Sequence, residues 1–166
     1  MEFNFLIIAI AALVPLIMGF IWYHPKVFGT AWMNSLGMTE ESMKGANMAK
    51  IFIVTYILSF LIAFSVQFFV IHQFSFISIL VDEPGFGDPT SEIGMYFTDF
   101  MNKYGNNYRT FQHGVLHGFM TGLFLLMPII GINALFERRN FKYTAINSGF
   151  WIVCVAIMGG IICQWV

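Results

Sequence analysis

Three histidines are the residues of this sequence whose type and spacing come nearest to a chemical site. His113 and His117 are four residues apart, which places them on one face of a helix. His72 lies late in the preceding apolar segment, so two antiparallel helices would bring it to the same end of the molecule. Neutral imidazole binds zinc, copper and iron, and paired histidines can also hold haem iron. These three residues are therefore candidate ligands of a transition metal or a haem.

Two other interpretations of the same histidines stay open. No adjacent cysteine or glutamate completes a specific zinc motif, which favours interfacial side chains that hydrogen-bond water, headgroups or backbone over a metal site. A histidine that titrates near neutrality also suits acid–base chemistry or pH sensing. Gln67, Gln73 and the acidic central loop would supply further ligands to a metal, whereas His24 belongs to another loop. The spacing alone does not predict a cofactor.

Other catalytic motifs are missing from the sequence. There is no Gly-x-Ser-x-Gly motif, no glycine-rich phosphate loop and no cysteine paired with a nearby histidine. A net charge of −1 does not favour a nucleic-acid partner. The long apolar segments also carry no Asp, Glu, Lys or Arg, although proton-coupled transporters usually have one there. The sequence favours a protein that is not an enzyme, and a hydrolase or oxidoreductase would have to be built on the histidines.

The elements that position these residues are predicted by the distribution of charge. Apolar residues make up 58% of the 166 residues and charged residues only 10%, which is outside the range of soluble domains. The charged residues leave four gaps, each longer than the ~20 residues that a helix needs to cross a bilayer. We expect a single all-α domain, 1–166, forming a membrane bundle of four transmembrane helices at about 5–23, 51–76, 113–135 and 144–165, with an outer loop at about 77–112.

The orientation follows from the basic residues of the loops. The first and third loops together carry six Lys and Arg, whereas the central loop carries Lys103 and Arg109. Basic loops stay in the cytoplasm. We therefore expect a multi-pass protein of the bacterial inner membrane, with both termini and the central loop outside and the first and third loops cytoplasmic.

Both longer loops are expected to contain short interfacial helices. The first loop is rich in aromatic residues that settle at the headgroup level, and Thr39 would cap a second long helix that begins near residue 40. In the central loop, apolar residues recur at helical spacing against charged ones. The apolar positions are Ile93, Tyr96, Phe97, Phe100 and Tyr104, and the charged ones are Glu92, Asp99 and Lys103.

Small and polar residues within the spans predict helix contacts. Gly114, Gly118 and Gly122 recur every four residues and form a stripe without side chains, the kind of surface on which membrane helices pack closely. The stripe could face another helix of the chain or another subunit, or form a groove for a lipid or cofactor. The amides of Gln67, Asn133 and Asn147 are expected to form helix-to-helix hydrogen bonds rather than a substrate site.

One family resemblance extends over the chain. The run Trp22 to Gly29, followed by Trp32, Met33, Leu36 and Gly37, resembles the opening signature of a bacterial membrane family, domain of unknown function 1761. Three later segments are similar to that family as well: 111–118, 133–136 and 147–151. The resemblance implies a bacterial integral-membrane protein. It implies no activity, ligand or catalytic residue.

Three functions remain as hypotheses. The glycine stripe, the aromatic first loop and the lack of charges in the spans favour a non-catalytic protein that packs in lipid as a homo-oligomer or as an accessory subunit of a membrane complex. The alternative is a metal- or haem-binding protein that uses His72, His113 and His117. A channel or carrier for a neutral small solute is the third, because Gln67, Asn133 and Asn147 place polar groups in the spans.

Overall fold

The protein is all-helical in a computed structural model, which describes residues 3–39, 41 and 45–166. The prediction of an all-α fold with four apolar helices long enough to span a membrane is confirmed. Shorter helices lie in the first and central loops, as expected. The four candidate spans are Phe5–Trp22, Met48–Val70, Phe111–Phe136 and Phe141–Trp165.

Proline interrupts two of these spans. The first consists of helix α1 (Phe5–Ala11) and helix α2 (Val14–Trp22), with Pro15 in the first turn of α2. Proline has no backbone N–H, so the hydrogen bond to the carbonyl four residues earlier is lost and the helix is broken there. The third span likewise contains a π-helical turn just before Pro128, because a wider turn is one way to accommodate the missing bond.

The remaining elements can now be given in chain order. A π-helical turn, Pro25–Gly29, leads into α3 (Thr30–Leu36) in the first loop. The second span is α4 (Met48–Val70), and the central loop contains α5 (Gln73–Leu80) and α6 (Glu92–Tyr104). The third span consists of α7 (Phe111–Thr121), a second π-helical turn (Gly122–Leu126) and α8 (Met127–Phe136), and the fourth is α9 (Phe141–Trp165).

Helix α9 is the centre of the bundle. It is the most buried of the four spans and contacts each of the other three. The Asn4 amide donates to the Trp165 carbonyl at one end, and the Trp22 indole donates to the Ile146 carbonyl at the other, so the first span runs antiparallel to α9. These two hydrogen bonds mark the opposite ends of the bundle. We call the one with Asn4, Trp165 and the central loop the histidine end.

The second span differs from expectation at both of its limits. Asn47, not Thr39, caps the long helix, which begins at Met48 rather than near residue 40; residues 40 and 42–44 lie outside the described part of the chain. The helix ends at Val70 instead of reaching about residue 76. Ile71 is extended, with φ −111° and ψ 99°, and the chain turns there before α5. The charge-free gap between Lys50 and Asp82 does not show where within it the helix bends.

A buried glutamine holds the chain after that bend. The Gln73 side chain donates to the backbone carbonyls of Gly105 and Asn107, at 2.9 and 3.0 Å, and only 7% of the residue is exposed. One turn further on, the Phe76 ring stacks on Phe100 of α6 with ring centroids 4.0 Å apart. These contacts fasten α5 to both α6 and the segment that leads into α7.

Candidate metal centre

Two features of the backbone position the three histidines. His72 stands at the bend between α4 and α5, where the helical backbone is interrupted. His113 lies in the first turn of α7, whose N-cap, Thr110, accepts a hydrogen bond from the His113 backbone N–H. His117 follows one turn later on the same face of α7. The bend and the capped helix start therefore direct all three residues to the histidine end.

The structure brings the three imidazoles into mutual contact. The Nε2 atoms of His72 and His113 are 2.9 Å apart. The ring centroids of His72 and His117 are 4.8 Å apart, and those of His113 and His117 are 4.4 Å apart. One ring nitrogen from each residue lies within 4.8 Å of the other two. We call these three residues the histidine site.

Hydrogen bonding accounts for only part of this arrangement. His72 and His113 can share one proton between their Nε2 atoms if one ring donates and the other accepts. The His117 ring has no hydrogen-bonding partner among the residues that the structure describes, although it packs edge-on against the His72 ring. Within the described residues, a hydrogen bond therefore joins two of the rings, and ring packing holds the third against them.

The geometry suits a single ion. Nitrogen ligands at ~2.0–2.1 Å from a tetrahedral zinc lie about 3.4 Å from one another, so small rotations of the three rings would bring them into position. His72 is exposed and the other two are half-buried, which leaves a coordination position open to the surroundings. A haem held between two histidines fits poorly, because its plane would have to separate imidazoles that are now in contact.

The other expected ligands do not join the site. The Gln73 amide nitrogen donates to the backbone carbonyls of Gly105 and Asn107. Gln67 is completely buried, and its amide nitrogen donates to the Phe64 carbonyl. Within the described residues, no cysteine or carboxylate belongs to the cluster, and His24 lies at the other end of the bundle, where its Nδ1 accepts from the Lys26 N–H. Among the described histidines, cysteines and carboxylates, only the three imidazoles are placed to hold an ion.

One residue beside the site was not predicted from the sequence. The Tyr108 ring centroid lies 5.1 Å from that of His113, and Tyr108 has the left-handed φ of 61° that non-glycine residues rarely adopt. Its carbonyl accepts from the Thr110 N–H and from the Cys163 thiol, which hold it in place. Nothing in the sequence around Tyr108 signals this conformation, because it depends on α9.

A family comparison covers nearly the whole chain. The family described as Protein of unknown function (DUF1761) matches residues 6–163. The chain belongs to this family. Searches of the curated proteins and of the solved structures gave no match.

The opening signature of this DUF1761 protein, Trp22 to Gly29, attaches the first span to α9. The Trp22 indole donates to the Ile146 carbonyl at 3.1 Å, and the Tyr23 hydroxyl donates to the Asn147 side-chain oxygen at 2.9 Å. Gly29 closes the π-helical turn against the Tyr23 carbonyl oxygen, where any larger residue would collide. The signature thus fixes the first span to α9 at the end opposite the histidines.

The glycine stripe of the DUF1761 chain packs inside the molecule. A methyl group added at Gly114 would overlap the Gly159 carbonyl oxygen of α9, and one added at Gly118 would overlap the Val155 carbonyl oxygen. At Gly122 it would lie 2.7 Å from the Ile152 Cα atom. All three residues are buried. The stripe brings the backbones of α7 and α9 together, and this contact sets the position of His113 and His117.

The polar residues of the spans do not form one path. Asn147 accepts from Tyr23 and donates to the Tyr143 carbonyl, so it links α9 to the first span. Asn133 is exposed and, with Asn147 and Glu137, lines a small pocket of about 190 Å³ at the end opposite the histidines. Gln67 does not line that pocket. Asn133 and Asn147 therefore lie together at that end of the bundle, and Gln67 lies apart from them.

Proposed function

We propose that this DUF1761 protein binds one transition-metal ion, zinc or copper, at the histidine site. The observation that carries the proposal is the convergence of His72, His113 and His117 from a helix bend and a separate capped helix, with ligand atoms within 4.8 Å of one another. Three imidazoles and an open position form a ligand set typical of zinc sites that bind a further small ligand.

The choice of metal follows from the ligands. Imidazole suits zinc and copper, whereas calcium and magnesium require oxygen ligands, and no described carboxylate belongs to the histidine site. Three neutral imidazoles bring no negative charge, so a divalent ion would keep its full charge and favour an anionic fourth ligand. The ordinary affinity order of divalent metals puts copper above zinc at such a site.

The location of the site is part of the proposal. Six Lys and Arg in the first and third loops, against two in the central loop, favour an orientation with the histidine end on the outer face of a bacterial inner membrane. The metal would then be exchanged with the space outside the cytoplasm. The exposed apolar side chains of the four spans would contact lipid.

The alternatives from the sequence have less support. A homo-oligomer or accessory subunit was favoured by the glycine stripe, but that stripe packs on α9 and offers no surface to a second subunit. A carrier for a neutral solute would need the spans' amides along one path, whereas Gln67 is buried away from the pocket that Asn133 and Asn147 share. Both stay as hypotheses without a specific feature of the structure in their favour.

The test is a metal titration of the purified protein. The chain would be extracted in mild detergent, stripped with a chelator, and titrated with Zn²⁺ and with Cu²⁺. We expect one ion per chain and a loss of affinity of more than about 100-fold in His117→Ala, since even indirect partners of a metal site cost ~10–100-fold. His24→Ala is the matched control because His24 lies at the other end of the bundle. Equal binding by both variants, or no stoichiometric binding by the native protein, would overturn the proposal. Mass spectrometry of the same preparation would detect a copurifying subunit.

A further inference from the structure

An aromatic pocket lies directly beside the histidine site. It has a volume of about 350 Å³ and is lined by His72 together with four aromatic residues, Phe76, Phe100, Tyr104 and Tyr108. Phe76 comes from α5, Phe100 and Tyr104 from α6, and Tyr108 from the segment before α7. The pocket is thus built where the central loop closes over the bend that carries His72. Its size lies at the lower end of the range typical of small-molecule sites.

The lining chemistry favours a flat apolar molecule. Aromatic rings offer large rigid faces on which another ring can stack, and the Phe76 and Phe100 rings are already paired at 4.0 Å. The Gln73 amide, which also borders the pocket, is tied to the carbonyls of Gly105 and Asn107. A ligand in this pocket would therefore contact mostly carbon atoms. Where it contacts His72, it would lie next to the bound metal.

The bound metal requires the ligand to carry a polar group at the end that faces His72. An ion held by three neutral imidazoles favours an anionic oxygen in its open position. A phenol supplies such an oxygen on an aromatic ring, because its hydroxyl proton is released to water when the oxygen binds the metal. We infer that the pocket binds a membrane-soluble phenol, whose ring stacks among Phe76, Phe100 and Tyr104 and whose oxygen coordinates the metal beside His72. This inference rests on the proposed metal site and names the class of ligand that the site takes.

Binding of a simple phenol tests the inference. The probe is 1-naphthol, with naphthalene as the matched compound that lacks the hydroxyl and decanoate as an anion that lacks the ring. Binding would be measured by equilibrium dialysis with detergent-solubilised protein, metal-free and loaded with Cu²⁺, and by the visible charge-transfer absorption that a phenolate–copper bond produces. We expect naphthol to bind the copper-loaded protein at least tenfold more tightly than the metal-free protein, and to produce the new band. Naphthalene should bind both forms equally.

Variants separate the pocket from the metal site. Tyr104→Ala should weaken naphthol binding by about tenfold, because one stacking face is lost, while the variant still binds one Cu²⁺ per chain. Phe136→Ala is the control, since Phe136 is 87% exposed and ends α8 at the opposite end of the bundle. Tyr108→Phe checks whether the chain's own phenol is the ligand. In that case the band would be present before naphthol is added and absent from the variant, and the inference would be overturned.

The outcomes distinguish this inference from the proposed function. Failure of Cu²⁺ to bind would reject the metal site and, with it, the coordinated phenol. Normal Cu²⁺ binding with equal affinity for naphthol and naphthalene, or with tighter binding of decanoate than of naphthol, would reject the phenol alone and leave the metal site standing.

Discussion

The Nε2 atoms of His72 and His113 lie 2.9 Å apart, although 41 residues separate the two positions in the chain. Their approach requires two backbone features at once. The second span must bend after Val70, and α7 must begin at Phe111 with its first turn beside that bend. Gln73 holds the bend in place and the glycine stripe holds α7 against α9. The distance between the two imidazoles therefore depends on both sets of contacts.

Metal binding should stabilise the folded protein. A ligand at 100 times its dissociation constant adds about 2.7 kcal/mol to the free energy of unfolding if it binds only the folded state. We expect saturating Zn²⁺ to raise the Tm in detergent by several degrees, and a chelator to reverse the rise. His72→Ala should show no rise, whereas His24→Ala should behave like the native protein. An equal rise in His72→Ala would mean that the ion binds elsewhere.

Close packing of α7 on α9 should make Gly118 intolerant of even one methyl group. Gly118→Ala places a carbon against the Val155 carbonyl oxygen, so the two helix backbones must move apart. Overpacking of this kind costs roughly 1–3 kcal/mol. The measurement is thermal denaturation in detergent, with Gly19→Ala as the control because an added methyl there meets nothing within 4 Å. Equal stability of the two variants would contradict the packing.

The sequence predicts the spans well and the site only in part. Charge-free gaps predict the four helices because a bilayer sets a minimum length of ~20 apolar residues for a spanning helix, and helices of soluble proteins rarely contain such a long uncharged segment. The convergence of His72 with His113 and His117 follows from the antiparallel order of the spans. The bend at Ile71, by contrast, depends on the hydrogen bonds of Gln73 to a segment more than thirty residues away. The sequence also does not show which helix the glycine stripe packs against, because that helix, α9, offers its backbone rather than a matching motif.

The Tyr23 hydroxyl should contribute to the docking of the first span. Tyr23→Phe removes its hydrogen bond to Asn147 and leaves the ring in place. Hydrogen bonds between membrane helices are worth about 0.6 kcal/mol on average. We expect a loss of that size in the free energy of unfolding, and a negligible change for Tyr96→Phe, since Tyr96 is exposed on α6. A double-mutant cycle with Asn147→Ala would isolate the bond, and a coupling energy near zero would contradict it.

Gln73 should control the order of the central loop and, through it, the metal site. Gln73→Leu keeps the side chain's approximate volume but leaves the carbonyls of Gly105 and Asn107 without their donor. Each hydrogen bond of this kind contributes about 0.5–1.5 kcal/mol to the free energy of unfolding. We expect faster hydrogen exchange in α5 and α6 and weaker Zn²⁺ binding, since His72 precedes Gln73 directly. Gln112→Leu is the matched control, because Gln112 is exposed on α7. Unchanged exchange in α5 of the Gln73 variant would show that these bonds do not hold the loop.

The orientation can be tested with single cysteines at the two ends of the bundle. Cys154 and Cys163 are buried, so they should contribute little background to labelling by a maleimide that cannot cross membranes. Asn106→Cys lies at the histidine end and Arg139→Cys at the opposite end. In intact bacterial cells we expect labelling of Asn106→Cys, and labelling of Arg139→Cys only after permeabilisation, because basic loops remain in the cytoplasm. The reverse pattern would put the histidine site on the cytoplasmic face, where the metal it meets would come from the cell's internal supply.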